Sequence, residues 1–154
     1  MTKLVHRNRS GMTLVEILIA VTIIGLLAAF ILPAYNMAIR SRQNAMVASQ
    51  LRQAVTAFSM YRMEVGSFPA TQGLGVIPPE MTDYFNSLNI TSWWTNKAEV
   101  GGGWGWIGPS SYILLMPTVS NDQLTDLDKL VDDGNLATGN FRQIGPLCRY
   151  YVGQ

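Results

Sequence analysis

Gly11-Met12-Thr13-Leu14-Val15-Glu16-Ile17-Leu18-Ile19-Ala20-Val21 opens a run, Met12 to Leu32, of 21 residues whose sole charge is Glu16. Written as a helix at about 1.5 Å per residue, this run is long enough to cross the roughly 30 Å core of a bilayer. A carboxylate placed near the start of such a stretch is costly to bury unless something positive meets it. The sequence keeps it, so a partner for Glu16 is the first thing the rest of the chain must explain.

The residues before the run hold Lys3, Arg7 and Arg9 and no acid. Basic residues on that side put the N-terminus in the cytoplasm and the bulk of the chain outside it, although Arg40 and Arg42, several residues past the run, weaken the asymmetry. A removable secretory signal would need small residues in an A-x-A pattern after the apolar part. Pro33-Ala34-Tyr35-Asn36-Met37-Ala38 lacks that pattern, and the apolar part is longer than a usual signal core. Of the 11 basic residues, three lie in the leader, leaving eight against ten acidic ones beyond Gly11. A weakly acidic remainder without a polybasic patch gives no electrostatic case for nucleic acid.

The string Gly11 to Val21 resembles the type IV prepilin signal shared by pilins and type II secretion pseudopilins. The resemblance implies that a prepilin peptidase cuts between Gly11 and Met12 and then methylates the new Met12 amine. Met12 stands where phenylalanine is commoner in that family, and Pro33 stands where the family often places a helix-kinking proline. A second, weaker similarity to major pseudopilins lies in Tyr61-Arg62-Met63-Glu64-Val65-Gly66-Ser67-Phe68-Pro69-Ala70-Thr71-Gln72-Gly73-Leu74-Gly75. The C-terminal half matches neither a pilin disulfide loop nor a calcium loop, so pilin and pseudopilin both stay open. The first match covers about a third of the chain and implies a filament subunit, first resident in a bacterial inner membrane. Its implied partners are the peptidase, membrane lipid, an inner-membrane assembly platform, and copies of itself or other pilins and pseudopilins.

Given that cleavage, Met12 becomes a cation, and Glu16 lies about one helical turn from it. The expectation is that staggered side-by-side helices bring Glu16 of one subunit to the Met12 amine of another, which offsets the burial cost. The competing reading is a Glu16 that reaches to the membrane surface on its own.

Pro33 removes a backbone donor and crowds the preceding turn, so it bends or breaks a helix. Helical periodicity resumes at once, which favours a bend with continuation. Ala34, Ala38, Ala45, Ala48, Leu51, Val55 and Phe58 fall at three-to-four spacing as one apolar stripe. Arg40, Arg42, Gln43, Gln50, Arg52 and Gln53 form the opposite, polar face. Gly66 stops the helix and Pro69 prevents its resumption. The expected organisation is a leader over 1–11, a long helix over 12–65 with 12–32 in the membrane, and an exported α+β domain over 66–154.

Within that domain, Ser67 to Pro79 reads as an irregular loop, and Pro78-Pro79-Glu80-Met81-Thr82-Asp83-Tyr84-Phe85 as a short helix turning Met81, Tyr84 and Phe85 inward. Gly101-Gly102-Gly103-Trp104-Gly105-Trp106-Ile107-Gly108 reads as a strand with Trp104 and Trp106 on one face. It lacks the Gly-Lys-Ser/Thr ending of a phosphate loop. Ser111 to Val119 reads as a second strand. Asn121 is the expected cap of a helix with Leu124, Leu127, Leu130 and Val131 inward and Gly134 closing it. Phe141 to Ile144 and Cys148 to Val152 read as a hairpin around Gly145-Pro146. The predicted fold class is therefore α+β: a long N-terminal helix, partly transmembrane, packed on a small antiparallel sheet, as in pilins.

Cys148 is the sole cysteine and sits among apolar neighbours, so it reads as a buried hydrophobe and no intrachain disulfide is possible. His6, the sole histidine, lies in the leader, so the mature chain offers no Ser-His-Asp or Cys-His machinery. Asp122, Asp126, Asp128, Asp132 and Asp133 lack the spacing of an EF-hand loop and read as solvated helix acids. No catalytic residue, cofactor or metal ligand is assigned, with Asp132-Asp133-Gly134-Asn135 left open. The functional expectation is a structural subunit of a type II secretion pseudopilus or related filament, assembled through Glu16 and Pro33. The alternatives are a type IV pilus subunit for adhesion, motility or DNA uptake, and a membrane-tethered binding module or enzyme with an uncleaved anchor.

Overall fold

The computed structural model describes residues 12–153. The chain divides into two compact units with the boundary between Ile39 and Arg40. Helix α1, Leu14–Val65, is 52 residues long and continues through Pro33. Up to Ile39 its large apolar side chains are exposed. Among the described residues α1 is the one helix long and apolar enough to cross a membrane, by length and composition.

From Arg40 onward α1 belongs to the second unit and has a buried face. Asn44, Val47, Ala48, Leu51, Ala54, Ala57, Phe58 and Tyr61 line it, with Val55 half-buried. The expected stripe is right at Ala48, Leu51 and Phe58 but set partly off axis, because Ala45 is exposed while Val47, Ala54 and Ala57 are covered. Small alanines between large residues let the packed elements approach closely. Gly66 ends the helix in the left-handed region (φ 83°), and its N–H donates to the Arg62 carbonyl over 2.8 Å.

A 3₁₀ turn, Pro79–Met81, leads into α2, Thr82–Ser87, and then α3, Thr91–Trp94. Met81 and Phe85 are fully buried and Tyr84 half-buried, as their spacing predicts. Four antiparallel strands follow: β1 Trp104–Ile107, β2 Tyr112–Leu115, β3 Phe141–Ile144 and β4 Leu147–Tyr151. They lie in the order β1-β2-β4-β3. The second strand is shorter than the sequence suggests, ending at Leu115 before Pro117, which has no N–H to offer a ladder. Residues Trp104, Leu115 and Cys148 share one cross-strand row, and Trp106, Ile113, Tyr150 and Phe141 the next. Of these only Tyr150 is not fully buried. The open edge of β1 is covered by the loop before it: Gln72 bridges Trp106, and the Gly75 N–H donates to the Trp104 carbonyl over 2.6 Å.

The core is aromatic. Phe58 stacks on Trp106 with ring centroids 3.9 Å apart, and Phe85 meets both Phe58 and Trp94 edge-on. Trp106 and Trp94 each donate their indole N–H to the loop, to the carbonyls of Pro69 (3.0 Å) and Val76 (3.1 Å).

Helix α4, Asn121–Val131, connects β2 to β3. Its N-cap is Ser120 rather than Asn121: the Ser120 hydroxyl accepts the Gln123 N–H. Leu124 and Leu127 are buried as expected, whereas Leu130 is exposed and Val131 half-buried. Two side chains of α1 hold α4 at its two ends. Asn44 donates to the Gln123 carbonyl over 3.0 Å and accepts from the Gln123 side chain. Arg52 donates to the Leu130 carbonyl over 2.6 Å, meeting an orphan acceptor of the last turn. Asp128 departs from the reading of solvated helix acids, since it is fully buried.

Candidate assembly site

Met12 and Thr13 precede α1 as non-helical residues, and Thr13 supplies its N-cap. The Glu16 N–H donates to the Thr13 hydroxyl (3.3 Å), while the Thr13 N–H and hydroxyl both donate to Glu16 Oε2 (2.9 Å each). This is a capping box: two orphan donors of the first turn are met by the side chains of Thr13 and Glu16. The signal was present in the sequence as Thr-x-x-Glu before an apolar run, and the reading of Glu16 as a lone charge passed over Thr13. The carboxylate also sits where the positive end of the helix dipole favours it.

Beyond Glu16 the segment carries little else that is polar. Thr22 donates its hydroxyl to the Ile19 carbonyl over 2.7 Å, which satisfies it within the helix. Met12 is 68% exposed, and Leu14, Val15, Ile17 and Leu18 present bare apolar surface around Glu16. Chemically, this is a hydrophobic cylinder end with one anionic point. Pro33 lies further along, inside the same helix. The other expected site residue, Gly11, lies outside the described residues, as do Lys3, Arg7, Arg9 and His6.

Elsewhere one group of acids comes together. Carboxylate oxygens of Asp128, Asp132 and Asp133 lie within 4.8 Å of one another. Asp132 accepts the N–H groups of Asn140 and Phe141, and Asp133 accepts the Asn135 N–H and the Thr138 hydroxyl. Donors from the loop that follows α4 converge on Asp132 and Asp133 and fasten that loop to the helix end. Cys148, fully buried within β4, has its thiol pushed up to about 12 by burial, with Asp128 adding to it.

The prokaryotic N-terminal methylation motif matches residues 6–32. The type IV wide pilus major component PilA4 of Thermus thermophilus is 30% identical over 102 residues, covering 62% of this chain and 78% of that protein. The type II secretion system core protein G of Pseudomonas aeruginosa is 30% identical over 67 residues, covering 44% of this chain and 47% of that protein. No solved structure matches. With the motif, the identity to a pilus component and the long helix on a four-stranded antiparallel sheet together, the chain belongs to the type IV pilin and type II secretion pseudopilin family.

Proposed function

We propose that this chain is a structural subunit of a type II secretion pseudopilus or a related type IV pilus-like filament. In this reading a prepilin peptidase cuts between Gly11 and Met12 and methylates the Met12 amine. Residues 12–32 hold the subunit in a bacterial inner membrane, N-terminus on the cytoplasmic side, until an assembly platform moves it into the filament. Glu16 then pairs with the Met12 amine of a neighbouring copy, and Pro33 lets the helix bend as it packs. The work is assembly and not catalysis.

The observation that carries this is Glu16 itself. It is the sole charge in the run from Met12 to Leu32, and among the described residues it is met only by Thr13. A hydroxyl and an amide soften the burial of a carboxylate but do not neutralise it, whereas an ammonium does.

The mass of the mature N-terminus tests the reading. Loss of residues 1–11 with gain of one methyl group is expected. An intact leader would instead favour a membrane-tethered module or enzyme. In the same cells, Glu16→Ala is expected to give a processed, membrane-inserted protein that assembles poorly; normal fibres from it would remove Glu16 from the mechanism. A type IV pilus subunit for adhesion, motility or DNA uptake is the second reading. It draws on the 102-residue stretch aligned at 30% identity with the wide-pilus component, which is longer than α1. Imaging separates the two: long surface fibres favour the pilus, while their absence together with a secretion defect on gene removal favours the pseudopilus.

A further inference from the structure

The acid cluster behind α4 does not belong to the assembly site, and its charges do not balance. Asp132 and Asp133 are engaged by the loop that follows them. The Asn140 and Phe141 N–H groups donate to Asp132 Oδ2, the latter over 3.0 Å. Asp133 Oδ1 takes the Asn135 N–H over 2.8 Å, and its Oδ2 takes the Thr138 hydroxyl over 2.7 Å. These bonds fold residues 133–141 back onto the end of α4. Gly139 is forced by this arrangement: it has φ 69°, and a Cβ there would strike the Asp132 carboxylate.

Asp128 takes no hydrogen bond of that kind; the Asn135 and Gly134 N–H groups face it without closing one. Its side chain is fully buried, and neither carboxylate oxygen has a hydrogen-bond partner. It nevertheless lies within 4.8 Å of the other two carboxylates. Three negative charges at that spacing, one of them dry, call for a neutralising species. The loop N–H groups that converge on the cluster disfavour a cation among them, because their positive ends already face it. A proton on Asp128 meets the need at once: the neutral acid loses the repulsion and gains a donor to offer its neighbours.

We propose that Asp128, Asp132 and Asp133 form a proton-operated latch that holds loop 133–141 on the end of α4 while Asp128 is neutral and loosens it when Asp128 is charged. The proton comes from solvent and returns to it. The relief of three like charges has to come from Asp132 and Asp133, since Asp128 is fixed within the core face of α4 while Asp132 caps its end and Asp133 opens the loop.

The other groups facing the cluster do not undo this. Cys148 on β4 keeps its proton, Tyr150 on β4 is pushed upward by burial, and Arg142 on β3 acts on Asp133. Arg52 on α1, whose charge reaches Tyr150, donates to the Leu130 carbonyl. Asp133 is itself held below the usual carboxylate range, chiefly by Thr138 and then by the Asn135 N–H, so it stays charged. Burial pushes Asp128 up to about 6, Asp132 and Asp133 add repulsion, and the Asn135 and Gly134 N–H groups act the other way.

Between the ordinary value of 3.8 and about 6 the folded state binds more protons than the unfolded one. The contribution of Asp128 is therefore fully present below about pH 4, is lost as pH rises through 6, and is flat above.

The test uses the full chain in detergent micelles. Thermal unfolding is followed from pH 4 to 8 for wild type and Asp128→Asn, first with chelator present and then, with the chelator removed, with added calcium. The wild type is expected to lose several degrees relative to the Asn variant between pH 4 and 7. Divided by the intrinsic base-catalysed rate at each pH, exchange of the Asn140 and Phe141 amides should rise on the order of tenfold above pH 7 in the wild type alone. Direct carbon-13 titration of the Asp128 carboxyl should report a midpoint well above 4, and it decides the matter even if the variant folds poorly. Parallel pH profiles, an Asp128 midpoint near 4, or a wild-type pH dependence abolished by calcium would each overturn the latch, the last by giving the neutralising role to a cation.

Discussion

Phe58 on α1 and Trp106 on β1 lie face to face, with ring centroids 3.9 Å apart and planes 15° from parallel. Both are completely buried, and Phe58 also reaches Phe85 and Trp94. One helix side chain thus ties the sheet to the short helices. Truncating it leaves a cavity that three aromatic neighbours cannot collapse into, because Trp94 and Trp106 are held by their indole N–H bonds to the loop. Phe58→Ala is expected to lower the stability of the second unit, from Arg40 onward, by about 3–5 kcal/mol. Phe58→Leu should cost clearly less. Urea unfolding followed by tryptophan fluorescence reads both, and an Ala variant within about 1 kcal/mol of wild type would contradict this role.

Much of this was written in the sequence, because period and punctuation carry it. Gly66 after a helical run, prolines at 78 and 79, tryptophans two apart among glycines, and Gly145-Pro146 between short runs each name a local geometry. What escaped depends on contacts distant along the chain. Nothing local distinguishes Asp128 from Asp126, yet one is buried and the other pairs with Lys129 in solvent. Asn44 reads as a polar helix residue until α4, 79 positions later, is laid against it. In the site, Glu16 stood out by its isolation, while Thr13 was hidden by being ordinary.

The Asn44–Gln123 pair gives the second prediction. Both are buried amides, and Asn44 both donates to the Gln123 backbone and accepts from its side chain. Asn44→Ala leaves the Gln123 carbonyl without its donor in a dry place, a loss of about 1–3 kcal/mol. Gln123→Ala should cost less, since it removes only the longer bond of 3.3 Å and the one to Gln43. A double-mutant cycle is expected to return a coupling of at least about 0.5 kcal/mol. Additivity would show that the two act separately.

At the other end of the chain, Thr13 holds Glu16 in place through its hydroxyl and its N–H. Thr13→Ala removes the cap and one of the two donors to the carboxylate, a local loss of about 1 kcal/mol, and Thr13→Ser should restore most of it. Under the assembly reading, Thr13→Ala lowers the yield of sedimentable fibres without removing them, since the charge of Glu16 is intact, and the exported domain melts unchanged. A fibre loss as complete as that of Glu16→Ala would mean that orientation by Thr13 matters as much as the charge.

Cys148 offers the last prediction, on reactivity. Its side chain is fully buried in the row that joins Trp104 and Leu115, and burial pushes its thiol up to about 12. At pH 8 the thiolate population is then negligible, and no path leads a reagent to the sulfur without opening the sheet. A disulfide reagent such as dithionitrobenzoate is expected to leave the folded chain unlabelled at pH 8 and to label it stoichiometrically in urea. The folded-state labelling rate should follow global unfolding, so Phe58→Ala, which lowers stability from a distance, should raise that rate on the order of a hundredfold or more. Rapid labelling of the native protein would place Cys148 at an accessible surface and contradict the packing of β4 against the core.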